Sequence, residues 1–184
     1  MRTKLFLAGV LLCFRAAFGQ SQLIVNGGFE STSGDPWVFQ GAGETIGSNP
    51  ALAHTGSHFL AMGNMSGANQ FVYQTISVPS NTAVAAFSYV WMVLSADNTG
   101  IDRLKVYIMD TSLTTVLATV DSESNFSPNG VYIQRAFDLT PFIGQYVAVV
   151  FAATTDPSNG YLTIFCIGTK DDLIWPIGLY PGFE

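Results

Sequence analysis

The chain has 184 residues and a formal net charge of −6, and only 11% of its residues are charged while 13% are aromatic. Its seven basic residues are spread along the chain, so no cluster could neutralise a phosphate backbone and we expect no nucleic-acid partner. Many β-branched and aromatic residues together with 18 glycines are typical of a β-protein with polar loops. A helical protein is therefore not expected.

The N-terminus differs in composition from the remainder of the chain. A cationic start at Met1–Lys4 precedes an apolar run, Leu5–Phe14, which is too short to span a bilayer. Small residues then surround a cleavage point, which is the pattern of a secretory signal peptide. We predict a signal peptide over 1–19, no membrane span, and a secreted domain over 20–184. A lipid anchor at Cys13 is the alternative, although a leucine precedes it where a small residue is expected.

The mature chain is predicted to be one domain that is stabilised by its core. Three of the seven basic residues lie in the signal segment, which leaves four against thirteen acidic residues. Cys166 is then the single thiol, so no intramolecular disulfide can form. About 165 residues are enough to bury one substantial core. From about residue 168 the sequence becomes an atypical, apolar and proline-containing tail.

The hydrophobic periodicity predicts short strands along the mature chain. The clearest alternation lies at 103–109, where leucine, valine and isoleucine share one face. An almost wholly apolar run at 146–153 predicts a central strand covered on both faces, whereas 41–50 is predicted to be a loop. No long stretch keeps a helical period, so the expected fold is all-β, an antiparallel sandwich of two sheets. The other predicted strands are 23–25, 37–39, 58–62, 70–78, 83–93, 114–120, 131–137 and 162–167.

Seven short motifs follow one another along the chain: Asn26–Glu30, His54–Ser57, Tyr73–Pro79, Ala86–Tyr89, Asp102–Val106, Phe137–Thr140 and Gly144–Val147. Their order resembles the galactose-binding-like jelly rolls, a pattern that many secreted carbohydrate-binding modules share. The resemblance covers nearly the whole mature chain, and it implies a two-sheet jelly-roll sandwich. Because this fold hosts sugar-binding, lipid-binding, protein-binding and structural roles, the ligand is implied less directly than the fold.

The resemblance also implies one structural calcium ion that joins the segment Asn26–Glu30 to the last strand. In such domains a carboxylate at the position of Glu30, carbonyl oxygens near the turn at Gly56, and an aspartate of the closing strand surround the ion. Oxygen ligands of this kind are what calcium requires. Here the acidic pair Asp171 and Asp172 comes three residues late. Either the strand bulges and still delivers an aspartate, or the site is lost and the glutamate only accepts hydrogen bonds from loop amides.

A sugar site requires aromatic side chains that pack on the C–H faces of the rings and polar groups that bind the hydroxyls. Alternation turns Lys105 and Tyr107 away from the core side of their strand. We expect Tyr132 and Gln134 to lie beside them on a neighbouring strand, so these four residues are the predicted ligand contacts. The alternative is that they cover an ordinary solvated sheet. Met92, expected nearby, is a poor sugar platform and leaves room for a protein-binding face.

The histidines suggest weaker sites. His54 and His58 have the spacing of two zinc ligands on a helix, but Thr55–Ser57 between them indicates a turn. A serine beside a histidine is too common in this chain to indicate a nucleophilic triad, and the Gly-x-Ser-x-Gly motif is absent. No catalytic residue is predicted.

The sequence therefore predicts a secreted, non-catalytic carbohydrate-binding domain whose partner is an extracellular or cell-wall glycan. The alternative is an extracellular structural or adhesive domain without sugar binding, which contacts a protein partner through its C-terminal tail. A secreted hydrolase is a third hypothesis, because thirteen scattered acids could supply two converging carboxylates.

Overall fold

The computed structural model describes residues 22–94 and 102–157. These ranges contain nine β-strands and a short 3-10 turn at Thr140–Phe142. In this part of the chain no helix is long and apolar enough to cross a membrane. The strands are β1 Val38–Gln40, β2 Thr45–Ser48, β3 His58–Ala61, β4 Asn69–Ser77, β5 Ala86–Trp91, β6 Arg103–Met109, β7 Val116–Ser124, β8 Ile133–Asp138 and β9 Tyr146–Thr154.

All strand pairs in these sheets are antiparallel, and they form one large and two small sheets. The five-stranded sheet has the order β1-β4-β9-β6-β7, and the two-stranded sheets are β2-β3 and β5-β8. β9 is the central strand, hydrogen-bonded to β4 on one side and to β6 on the other. The all-β antiparallel sandwich and the central position of 146–153 are both confirmed.

Aromatic side chains pack the five-stranded sheet against β5. The ring of Phe151 in β9 lies 5.9, 6.1 and 5.6 Å from the rings of Trp37, Phe87 and Tyr89, respectively. All four side chains are buried in one continuous core. The inner faces of two layers thus meet at Phe151, and the opposite face of the five-stranded sheet is left outside this core.

Two buried glutamines on the core side of β4 hold loops through their side-chain amides. Gln74 accepts a hydrogen bond from the N–H of Val25 at 2.8 Å and donates one to its carbonyl oxygen at 2.9 Å. Gln70 donates in the same way to the carbonyl of Ala42. The predicted strand at 23–25 is therefore wrong, because this backbone is paired with a side-chain amide and forms no strand ladder.

The segment predicted as a loop at 41–50 contains β2, which pairs with β3. Gly47 of β2 lies opposite Phe59 of β3, and a Cβ at Gly47 would lie 2.5 Å from carbon atoms of the phenylalanine ring. The absence of a side chain lets that ring cover the strand. A glycine that indicates a loop in the sequence thus permits a close approach within a sheet.

Candidate functional site

The outer face of the five-stranded sheet carries a compact aromatic surface. On β4, Phe71 and Tyr73 are half-buried and alternate with core residues such as Val72. On β6, Lys105 and Tyr107 alternate in the same way with buried aliphatic side chains. The side-chain period of two therefore turns all four of these longer side chains away from the core.

The strand between β4 and β6 supplies a floor of small side chains. Val150 of β9 lies opposite Tyr73 on one side and Tyr107 on the other. Ala152 lies between Phe71 and Lys105 in the same manner. Since β4 and β6 are each one strand spacing from β9, the two tyrosines stand about 10 Å apart. We call these residues the outer-face strip: Phe71, Tyr73, Lys105, Tyr107, Val150 and Ala152.

The polar groups of the outer-face strip have no partners inside the described ranges. There, the hydroxyls of Tyr73 and Tyr107 form no hydrogen bond, and the ammonium of Lys105 forms no ion pair. The floor residues are buried, at 2% exposure for Val150 and 7% for Ala152, so a ligand would contact the longer side chains around them. Those rings and polar groups can hold a flat ligand that has an apolar face and polar edges.

The structure separates the four predicted ligand contacts into two pairs on different sheets. β6, which carries Lys105 and Tyr107, pairs with β7 and β9, whereas Gln134 lies on β8, which pairs with β5. Tyr132 precedes β8, is half-buried, and donates its hydroxyl to the carbonyl of Leu52. The expectation that the four residues share one surface is therefore wrong, because alternation does not tell which strands are neighbours.

Phe71 and Tyr73 are the strip residues that sequence reasoning misses. The alternation over 70–78 is visible in the sequence, and it places both aromatic side chains on one face. The missing information is the strand order, in which β4 and β6 flank the same central strand. With that order known, the outward residues of the two strands form one surface.

The second predicted site centres on the carboxylate of Glu30. Its Oε1 accepts the backbone N–H groups of Ser57 and His58 at 2.9 and 3.0 Å. Its Oε2 lies 3.2 Å from the Ser57 hydroxyl and 3.0 Å from Nδ1 of His58. Gly56 has a φ of +68°, and a Cβ there would overlap Oε1. The structure thus brings Glu30 and Gly56 together in one tight turn.

The donors around Glu30 decide whether a calcium ion fits there. A carboxylate offers about four acceptor positions, and four donor contacts already face this one. The described ranges contain no group of three His, Cys, Asp or Glu that could hold a metal. Without the two aspartates, the described residues alone do not complete a calcium site, and Glu30 accepts hydrogen bonds from loop amides. The ion stays a prediction that rests on Asp171 and Asp172, which lie outside the described residues.

Glu30 should make stability depend on acidic pH. Hydrogen bonds from the side chain and backbone of His58, and from the backbone of Ser57, lower the pKa of Glu30 from 4.5 to about 2. A carboxyl with a lowered folded-state pKa stabilises the fold above its ordinary pKa, and this contribution is lost as the pH falls from about 4.5 to about 2. We expect the free energy of unfolding, measured by urea titration across this range, to fall less steeply in Glu30→Gln.

Asp110 is the matched comparison for this measurement. The pKa of Asp110 is lowered from 3.8 to about 2, and the largest cause is the hydrogen bond from the Ser112 hydroxyl. Since the two carboxylates lie in separate loops, the effects of Glu30→Gln and Asp110→Asn should add. If the free energy of unfolding of Glu30→Gln fell with decreasing pH as steeply as that of the wild type, the assigned hydrogen bonds would be contradicted.

Ser57, His58 and Glu30 meet in one place, but their geometry is not that of a hydrolytic triad. The Ser57 hydroxyl and Oε2 of Glu30 both lie beside Nδ1 of His58, at 3.2 and 3.0 Å. In a triad the serine and the carboxylate bind opposite nitrogens of the ring, so that the histidine can take the serine proton. The three residues instead fix the turn before β3.

Comparison with solved structures identifies carbohydrate-binding modules of the same fold. TmCBM61, in complex with β-1,4-galactotriose, aligns with a TM-score of 0.58 and 12% identity over 82% of this chain and 100% of that one. The C-terminal family 22 carbohydrate binding module of Clostridium thermocellum Xyn10B aligns with a TM-score of 0.50 and 18% identity, covering 83% and 97%. No protein-family model and no curated protein matches the chain. The expected sandwich of the carbohydrate-binding-module type is confirmed as the fold.

Proposed function

We propose that this protein is a carbohydrate-binding domain that holds a glycan on the outer-face strip. The observation that carries the proposal is the placement of Tyr73 and Tyr107 on either side of Val150. Aromatic faces pack on the C–H surfaces of sugar rings, and hydroxyl and ammonium groups bind sugar oxygens. A separation of about 10 Å between the tyrosines lets one glycan chain contact both as it crosses the sheet.

The structural comparisons support this proposal at the level of the fold. Both aligned proteins are described as carbohydrate-binding modules, and one of them holds a galactotriose. At 12% and 18% identity, the likeness extends to the fold and not to the ligand. The proposed ligand therefore rests on the outer-face strip, which carries three aromatic rings on one face of the sheet.

Replacing Tyr73 and Tyr107 together with alanine is expected to weaken glycan binding about a hundredfold. Each ring that packs on a sugar contributes about 1.4 kcal/mol, which is tenfold in affinity. Affinity electrophoresis against a panel of soluble polysaccharides identifies the ligand, and calorimetry with that ligand then measures the loss. The melting temperature of the double variant shows whether the fold is intact.

Phe126→Ala is the matched control, because it removes a ring that is 67% exposed and lies outside the strip. We expect this variant to bind like the wild type. A double tyrosine variant with full affinity would contradict the proposed site. A loss of binding in Tyr132→Ala or Gln134→Ala alone would move the site to the other layer of the sandwich.

We also propose that the domain is secreted and non-catalytic. Secretion rests on the N-terminal sequence over 1–19, and mass spectrometry of the exported protein is expected to find Gln20 as its first residue. The non-catalytic role is supported by the arrangement of Ser57 and Glu30 at the same nitrogen of His58. Hydrolysis of a bound polysaccharide, detected as new reducing ends, would contradict the non-catalytic role.

If no glycan binds, the alternative is a domain that contacts another protein.

A further inference from the structure

The outer face of the five-stranded sheet holds most of the positive charge of the described residues. These ranges contain three lysines and arginines in a chain of net charge −6. Arg135 forms ion pairs with Asp121 at 3.0 Å and with Glu123 at 2.7 Å. Lys105 lies on the outer side of β6, is exposed, and forms no ion pair within the described ranges. Arg103 lies two residues before it and donates to the carbonyl of Asp102. Lys105 is therefore the exposed cation that the outer-face strip offers to a ligand.

No acidic side chain occupies that face in the five strands. The carboxylates on these strands are Asp121 and Glu123 of β7, and both bind the arginine of β8 in the opposite layer. The residues directly across from Lys105 are Ala152 and Ser122, which are uncharged. The face is therefore positive in an otherwise acidic protein.

The position of Lys105 is not explained by protection of a sheet edge. Lysines on edge strands prevent pairing with other chains, but β6 lies inside the sheet between β9 and β7. Lys105 is exposed and two residues from Tyr107 on the same face, which is about 7 Å along the strand. A lysine stem spans this distance, so the ammonium can reach a substituent on a ring packed against Tyr107.

Building on the proposed function, we propose that the ligand is an acidic polysaccharide whose carboxylate or sulfate groups bind Lys105 beside the sugar ring on Tyr107. The net negative charge repels such a chain from the remainder of the protein, so the glycan is directed to this face. Charge complementarity then gives specificity over a neutral chain of the same shape.

The test compares polygalacturonate, its methyl-esterified form and a sulfated galactan as ligands of the full chain. We expect the charged polygalacturonate to bind about tenfold more tightly than the ester, which corresponds to one charge-assisted contact. The preference should shrink as salt is added. Lys105→Gln is expected to weaken binding of the acid about tenfold more than binding of the ester, which removes the preference. Sulfated galactan that binds with the same dependence on Lys105 supports a sulfated ligand, and weak binding of it supports a carboxylate.

Three results would overturn the proposal that the ligand is an acidic polysaccharide. The first is equal affinity for the acid and the ester, and the second is an equal loss of affinity for both in Lys105→Gln. The third is binding of polyglutamate as tight as that of polygalacturonate. The double alanine variant of Tyr73 and Tyr107 separates this failure from that of the proposed function. If it loses both acid and ester, the strip is still a glycan site; if it binds both like the wild type, or if no polysaccharide binds the wild type, the proposed function fails as well.

Discussion

Phe151→Ala is expected to lower the free energy of unfolding by about 3–5 kcal/mol. The ring is fully buried and contacts the rings of Trp37, Phe87 and Tyr89. Its removal leaves a cavity between the two layers. Because β9 is hydrogen-bonded on both sides, the strand cannot move inward to fill that cavity without breaking ladders. Urea unfolding followed by circular dichroism measures the change.

Val150 provides the matched control on the same strand. It is also buried, at 2% exposure, but it faces outward as the floor of the strip. Val150→Ala removes two methyl groups and should cost about 1–2 kcal/mol. Because so little of Val150 is accessible, glycan binding should change less than in the double alanine variant of Tyr73 and Tyr107. A cost equal to that of Phe151→Ala would contradict the assignment of the two residues to different faces.

The strands that the sequence predicts well are those whose two faces differ in chemistry. β6 has the predicted bounds, because buried aliphatic residues alternate with Arg103, Lys105 and Tyr107 along its length. β9 is predicted for a different reason, since an unbroken apolar run indicates a strand covered on both sides. In both cases the information is local, so periodicity alone finds the element.

The errors arise where a distant residue decides the local structure. The backbone at Val25 is paired with the side-chain amide of Gln74, 49 residues away, and no local pattern contains that partner. β2 forms because Gly47 admits the ring of Phe59. Composition alone predicts a loop in such a glycine- and serine-containing segment, and tertiary pairing overrides that tendency.

The candidate site was predictable in part. Alternation identifies Lys105 and Tyr107 as outward-facing residues of one strand. Their neighbours across the sheet, Phe71 and Tyr73, come from a strand more than 30 positions earlier, and they are brought close by β9 in between. Alternation in the sequence indicates on which face of its strand each residue lies. The order of strands in the sheet depends on long-range pairing, which alternation does not indicate. For this reason sequence reasoning misses two of the three aromatic residues of the strip, and it groups Tyr132 and Gln134 with a sheet to which they do not belong.

Gly56→Ala is expected to lower the free energy of unfolding by about 2–4 kcal/mol. A non-glycine residue at its φ of +68° costs about 1–2 kcal/mol. In addition, the new Cβ would overlap Oε1 of Glu30, so the carboxylate has to leave the N–H groups of Ser57 and His58. Losing hydrogen bonds to a charged but partly exposed group adds about 1–2 kcal/mol. Urea unfolding at neutral pH measures the total loss of free energy of unfolding, and thermal unfolding checks it.

A double-mutant cycle separates the two contributions. In a Glu30→Ala background no carboxylate is displaced, so Gly56→Ala should cost only the backbone strain of about 1–2 kcal/mol. Gly144→Ala is the control for strain alone, because its φ is +81° and a Cβ there would meet only Ser80 at 3.6 Å. Fully additive effects of Glu30→Ala and Gly56→Ala would show that the carboxylate does not depend on this glycine. A coupling of about 1–2 kcal/mol is expected, because the bare backbone at Gly56 is what lets Glu30 reach the turn.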